Sequence, residues 1–322
     1  MFNLFGSKKQ NTLTTKTSAV VQEFETGDKR VMVWHSDPQG KRTLVSLQYV
    51  PAGESLPLNI ENLYIHMPEH KYRYGVSPVN EHNFYHITDA IAQSDTDDYG
   101  LLSHSRLNNT YASWIALHND VYQSEYTRKM FNAEYVSGIS GIAELFGSSP
   151  DQNIVYVSFD RFESVVAICR GEHILMHSVV PVGSSYIISA LADTLHIDTQ
   201  MAAKIFERHG CSFSHYEESV RSCIVNLLQP FVAVIDNCVH TATASSYRPD
   251  FLRQPLSAWV FGGIGPSIPG LVSYIGQHIP ATYLQHIAPE YQSLVQSSVT
   301  TITAKNIPKF LVHFGMFAHQ SV

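Results

Sequence analysis

The chain has 322 residues, of which 44% are hydrophobic and 15% charged. That apolar share supports packed cores and excludes an intrinsically disordered chain, and its length allows two compact lobes. A net charge of −7 argues against a broad nucleic-acid-binding surface, and no apolar run approaches the roughly 18–20 residues that span a bilayer. Cys169, Cys211, Cys223 and Cys238 form neither a CxxC pair nor a zinc spacing. They read as reduced, buried thiols, and with no secretory pattern at the start they point to the cytoplasm.

Residues 1–17 are rich in Ser, Thr, Lys and Asn and read as a flexible terminus. Three strand-like runs follow, over 19–25, 30–35 and 44–51, joined by the turn-forming ETGDK and SDPQGK. They predict a three-stranded meander. Residues 60–67 fit a strand or a short helix, and 68–78, with its Pro and Gly, a loop. An asparagine cap and helical spacing of apolar residues predict a helix over 80–94. Strands are expected at 99–105 and 111–118, with Asn108 and Asn109 at the turn. A helix over 121–134, a strand over 135–139 and a short helix over 141–147 complete the first half.

Ser148, Ser149, Pro150 and Asp151 break the pattern. A second meander follows over 154–159, 164–170 and 173–180. Helices are expected over 184–195, 198–209 and 217–242, a strand over 256–261, and closing helices over 271–277 and 310–318. The pattern divides the chain into a first lobe, 18–150, and a second, 151–322, each opening with three strands and continuing with helices.

The sharpest motif is GGIGPSIPGL, residues 262–271, reached directly from the strand SAWVF. Gly262, Gly263 and Gly265 permit close backbone approach to a ligand, and the helix that follows presents an N-terminus suited to anions. Other constellations are weaker. Pro68 breaks the helix that would align His66 with His70, and His82 and His86 could share a helix face, but 17 histidines make chance pairs common. No GxSxG, HExxH or Walker A motif occurs.

A strand running into this glycine turn resembles the adenosine motif of the actin, Hsp70 and FtsA superfamily. PVGSSYIISALADTLHIDTQMAAKIFERHG, residues 181–210, and the closing segment AKNIPKFLVHFGMFAHQ resemble further parts of that pattern. With its start MFNLFGSKK, its length, and a stretch over 97–145 that is similar to an inserted subdomain, the chain most resembles the cytoplasmic pilus-assembly family PilM and its FtsA-like and GspL-like relatives. The resemblance implies an α/β, actin-like (ribonuclease H-like) duplicated two-lobe fold with a small inserted α+β subdomain in the first lobe. It allows ATP with magnesium as a ligand, with no cofactor the favoured expectation, and draws the candidate nucleotide site from Glu25, Gly27, Asp160, Gly183, Lys204, Gly262, Gly263 and Gly265. It further implies a cytoplasmic location at the inner membrane, with the cytoplasmic tail of a PilN-like bitopic protein as partner and self-association as a further option. The aromatic residues Tyr99, Tyr111, Trp114 and Tyr122 mark where such a tail would dock.

The departures from the pattern bear on function. Active members carry D-x-G in the first turn of each lobe, where the carboxylate handles magnesium or water and the glycine lets backbone amides meet phosphate. In the first lobe Glu23 or Glu25 stands near the Asp position, with Gly27 retained and acidic Asp28 after it. In the second lobe VYVSFDRFESVV has no glycine, and Phe159, Asp160, Phe162 and Glu163 stand where phosphates need room. Ala203 and Phe206 replace the usual Glu and Lys of the nucleotide helix, with Lys204 nearby, and Gly183 alone remains of a glycine pair. Two readings stay open: a pseudo-ATPase scaffold without catalytic residues, favoured because added carboxylates oppose phosphate binding, or an active, filament-forming FtsA-like ATPase. A sugar kinase would need an Asp base and intact phosphate loops, and neither is found.

Overall fold

The computed structural model describes residues 15–24, 26–56, 60–79, 98–122, 133–146, 153–243, 256–278 and 313. The first sheet is built from β1 (Lys16–Glu23), β2 (Lys29–Ser36), β3 (Arg42–Val50), β4 (Asn62–His66) and β8 (Ala133–Tyr135), in the order β3-β2-β1-β4-β8. Its first three strands run antiparallel, and β4 and β8 then join parallel. The second sheet has the order β11-β10-β9-β12, from β9 (Asn153–Phe159), β10 (Ser164–Arg170), β11 (His173–Val180) and β12 (Leu256–Gly263). It repeats the plan: three antiparallel strands, and a fourth parallel to the first.

A separate three-stranded sheet, β5-β7-β6, lies between β4 and β8 in the chain: β5 (Tyr72–Pro78), β6 (Tyr99–Arg106) and β7 (Tyr111–His118). The stretch 68–78, expected as a loop, is thus a single 3-10 turn at Glu69–Lys71 followed by a strand. Its Pro68 and Pro78 sit at the borders, where a strand tolerates them. The stretch 97–145 supplies β6 and β7 to this sheet but β8 to the first one. The strand expected over 135–139 is displaced to Ala133–Tyr135, and helix α2 (Gly138–Phe146) begins three residues earlier than expected. A short helix, α1 (Asn119–Tyr122), opens the 121–134 region. The helix expected over 80–94 and its His82 and His86 lie outside the described residues, as does the closing helix 310–318 except for His313.

The second lobe shows why its strands read as continuous apolar runs. All seven residues of β9 are buried. Val155, Val157 and Phe159 face one core with α3 (Ser184–Leu195), α4 (Thr199–His209) and α5 (Glu218–Thr243), while Ile154 and Tyr156 face Ile139, Ile142 and Ala143 of α2. Period-2 alternation places alternate side chains on opposite faces, and both faces are covered. By length and composition α5 could cross a membrane over Glu218–Cys238. Here its stripe of Val220, Ile224, Leu228, Phe231, Ile235 and Cys238 lies in the second-lobe core, the helical spacing of a core-facing helix.

Helix α4 starts where Asp198 accepts a hydrogen bond from the Met201 N–H at 2.8 Å, the geometry of an N-cap. Asp198→Ala is expected to lower stability by about 1 kcal/mol, measured by urea unfolding, with no change in the slope of the transition.

Candidate functional site: a cleft tied by its own charges

The two lobes meet at corresponding turns. In the first lobe the β1–β2 turn closes through Phe24 N–H to Asp28 O (3.0 Å) and Gly27 N–H to Phe24 O (2.8 Å). The Asp28 carboxylate accepts from Ala52 N–H (2.9 Å) and Thr26 Oγ1 (2.9 Å), and hydrogen bonds from Tyr49, Ala52 and Thr26 hold its carboxyl below the usual range. In the second lobe the β9–β10 turn closes through Asp160 N–H to Glu163 O at 3.0 Å.

These turns bind each other. Arg30, on β2, donates from both terminal nitrogens to Asp160, Nη1 to Oδ2 at 2.9 Å and Nη2 to Oδ1 at 2.7 Å. Both side chains are about nine-tenths buried. A two-point guanidinium–carboxylate pair is the strongest geometry for such a contact. Asp28 adds a second link, 3.4 Å from Nη1 of the exposed Arg161 side chain. A third runs from His70 Nδ1 to Glu163 Oε2 (3.1 Å), reinforced by Glu69 N–H to Glu163 Oε1 (2.9 Å).

Next to this seam is a cavity of about 170 Å³, bounded by Phe24, His66 and Glu69 from the first lobe and Tyr156, Glu163 and Tyr186 from the second. Glu69 is buried, with Oε1 at 3.2 Å from His66 Nε2 and Oε2 accepting from Tyr74 Oη (2.9 Å) and lying 3.5 Å from His177 Nε2. The Gly138 N–H donates to His66 Nδ1 at 3.0 Å, which leaves the ring proton on Nε2, towards Glu69. Burial acts to raise the Glu69 carboxyl, but the imidazoles of His66 and His177 outweigh it and bring it down to about 2. His66 and His70, considered above as a metal pair, thus serve two different carboxylates, and among the described residues no group of three or more His, Cys, Asp or Glu side chains is arranged to hold a metal ion.

The glycines expected at a nucleotide site are packed against the chain itself. A Cβ on Gly183 would stand 2.5 Å from the carbonyl of Arg161, and the first donors of α3 are already taken, Ser184 N–H by Asp160 O (3.0 Å) and Ser185 N–H by Arg161 O (2.9 Å). A helix N-terminus used this way has fewer free amides for an anion. Gly263 has φ +69, and a Cβ there would meet Phe159 O at 2.5 Å. Gly262 lies against the Tyr156 ring, Gly265 beside Phe159, and Gly27 turns at φ +81. Lys204 is exposed on α4, and Glu25 lies outside the described residues. Asp160, Gly183, Gly262, Gly263 and Gly265 therefore gather around the end of β9, where Asp160 is engaged by Arg30.

Among the aromatic candidates, Tyr99 packs edge-on to His118 at 4.9 Å, and Trp114 lies against Gly75 and donates to Ser77 Oγ at 2.9 Å. Tyr111 packs against the second-lobe core. Tyr122 ends α1.

Sequence reasoning missed Arg30, Glu69 and His177. For Arg30 a signal existed: an arginine inside the apolar run RVMVW is a long charged side chain in a strand that the pattern buries, and such a residue needs a partner.

Asp160→Ala is expected to destabilise the protein by about 3–5 kcal/mol, because the Arg30 guanidinium loses its carboxylate in a buried site. The double change Arg30→Met with Asp160→Leu should recover most of that loss in the same denaturation assay. For Glu69 the ordinary carboxyl value is 4.5 and the folded value about 2. Its ionisation therefore stabilises the fold fully above pH 4.5 and progressively less as pH falls from 4.5 towards 2, a contribution of about 3 kcal/mol. The stability gap between wild type and Glu69→Gln should shrink as pH falls from 4.5 towards 2.

No protein-family model matches the chain, and no curated protein matches it. Solved structures do. The PilM–PilN type IV pilus biogenesis complex aligns with a TM-score of 0.70 at 11% identity, covering 95% of this chain and 98% of that one. MreB 5 of Spiroplasma citri bound to AMPPNP aligns with a TM-score of 0.51 at 8% identity, covering 95% and 96%. With the duplicated sheets and the separate β5-β7-β6 sheet, these likenesses establish a two-lobe actin-like fold with a small inserted subdomain in the first lobe.

Proposed function

We propose that this chain is a cytoplasmic scaffold of a bacterial envelope assembly machine, a type IV pilus or a related secretion system, and that its interlobe cleft is held by its own side chains instead of by a nucleotide. The observation that carries this reading is the Arg30–Asp160 pair at 2.7 and 2.9 Å. It joins the two turns that face the phosphates in a nucleotide-binding actin-like protein. Three carboxylates, Asp28, Asp160 and Glu163, stand at those turns and all are engaged. A triphosphate entering there would meet repulsion and would have to break a buried ion pair.

The partner in this reading is a bitopic inner-membrane protein that offers a short cytoplasmic tail. Support comes from the 0.70 alignment with a PilM–PilN complex and from the inserted sheet, which carries the partly exposed Tyr99 and Trp114. Aromatic residues on such a surface are suited to anchoring an extended peptide. Tyr111, also partly exposed, packs against the second-lobe core.

A photo-cross-linking amino acid placed at Tyr99 or Trp114 in the native bacterium should capture a single-span inner-membrane protein through its cytoplasmic segment. The same group at Met201, on exposed α4, should not. Equal capture from all three positions, or none from the inserted sheet, would overturn the docking proposal.

A further inference from the structure

Three sheets converge on one carboxylate. Glu69 lies in the 3-10 turn between β4 and β5. One oxygen faces His66, on β4 of the first sheet; the other takes Tyr74, on β5 of the inserted sheet, and faces His177, on β11 of the second. The same turn reaches the cleft through Glu69 N–H and His70, both on Glu163. An aromatic ladder follows the same course: His66 stacks on Tyr72 (5.5 Å), Tyr72 on Tyr74 (6.0 Å), and Tyr74 contacts His177 (4.4 Å). Tyr72 Oη donates to Val136 O at 2.7 Å, and Tyr74 Oη lies 2.9 Å from Ser137 Oγ, just ahead of α2.

A carboxylate buried this deeply is tolerated because groups from all three sheets surround it: Tyr74 donates a hydrogen bond, and the imidazoles of His66 and His177 stand 3.2 and 3.5 Å away. Withdrawing any one leaves an ionised group short of partners in a low-dielectric site, which is costly. Partial displacement is therefore unfavourable, and the junction moves as a unit or not at all. We propose that Glu69 is a coupling residue that locks the inserted sheet, the two lobes and the β9–β10 turn into one mechanical unit, so that a shift of the inserted sheet is carried to the cleft. That a docked tail supplies this shift rests on the function proposed above; the coupling itself does not.

The free protein tests it. Urea unfolding of His66→Ala, His177→Ala and the double variant should be non-additive: removing His177 should change the unfolding constant at least about threefold less once His66 is gone. In a Glu69→Leu background the two changes should become independent. Additivity in the wild-type background, or unchanged coupling in the Leu background, would overturn the proposal. Should Glu69→Leu not fold, native-state hydrogen exchange on His177→Ala decides. The Gly138 and Glu69 amides should exchange at least about tenfold faster than in wild type, while the Ala202 amide on α4 is unchanged. Acceleration confined to β11 would contradict the coupling. Because no partner is present, a negative cross-linking result leaves this test intact.

Discussion

The buried Arg30–Asp160 pair sets how the two lobes meet. Its partners are 130 residues apart in the chain and sit at the two turns that a duplicated actin-like fold brings face to face. Two charges removed from water cost several kcal/mol each unless their geometry is good, and here both donor–acceptor distances are short. The lobes are thereby brought to one spacing, at which His70 reaches Glu163 and Arg161 reaches Asp28. The Glu69 junction is built on that same spacing, since its His177 belongs to the second sheet and its His66 to the first.

In the proposed scaffold, the fold and its cleft serve separate uses. The doubled arrangement of three antiparallel strands with a fourth parallel to the first is kept in full. The turns are what differ. Where a phosphate-binding turn offers free backbone amides, the β9–β10 turn carries Asp160 and Glu163, and its carbonyls cap α3. A scaffold can keep a superfold while its site is changed by a few turn residues.

The parts legible in the sequence were those written locally. Both meanders followed from strand-like runs set between turn-forming segments, and the strand-to-glycine turn at Gly262 and Gly263 followed from a buried run ending in two glycines. β5 was illegible because Pro68, Gly75 and Pro78 mimic a loop, and only pairing with β7 reveals a strand. The shift at residues 133–138 has the same cause: β8 is a three-residue strand specified by its neighbour β4, not by its own pattern. The site was legible in composition and not in pairing. Asp160 and Glu163 were conspicuous as carboxylates in a phosphate turn, but that Arg30 would neutralise one and His70 contact the other depends on how the lobes dock. Glu69 gave no signal, as its three partners come from three sheets.

The central claim is that the cleft is complete without a nucleotide. Calorimetric titration of the full-length chain with magnesium–ATP tests it most directly. No saturable heat at ligand concentrations up to about 1 mM, a free energy near 4 kcal/mol, is the result this account requires. Saturable binding at micromolar concentration, together with a raised melting temperature, would contradict it.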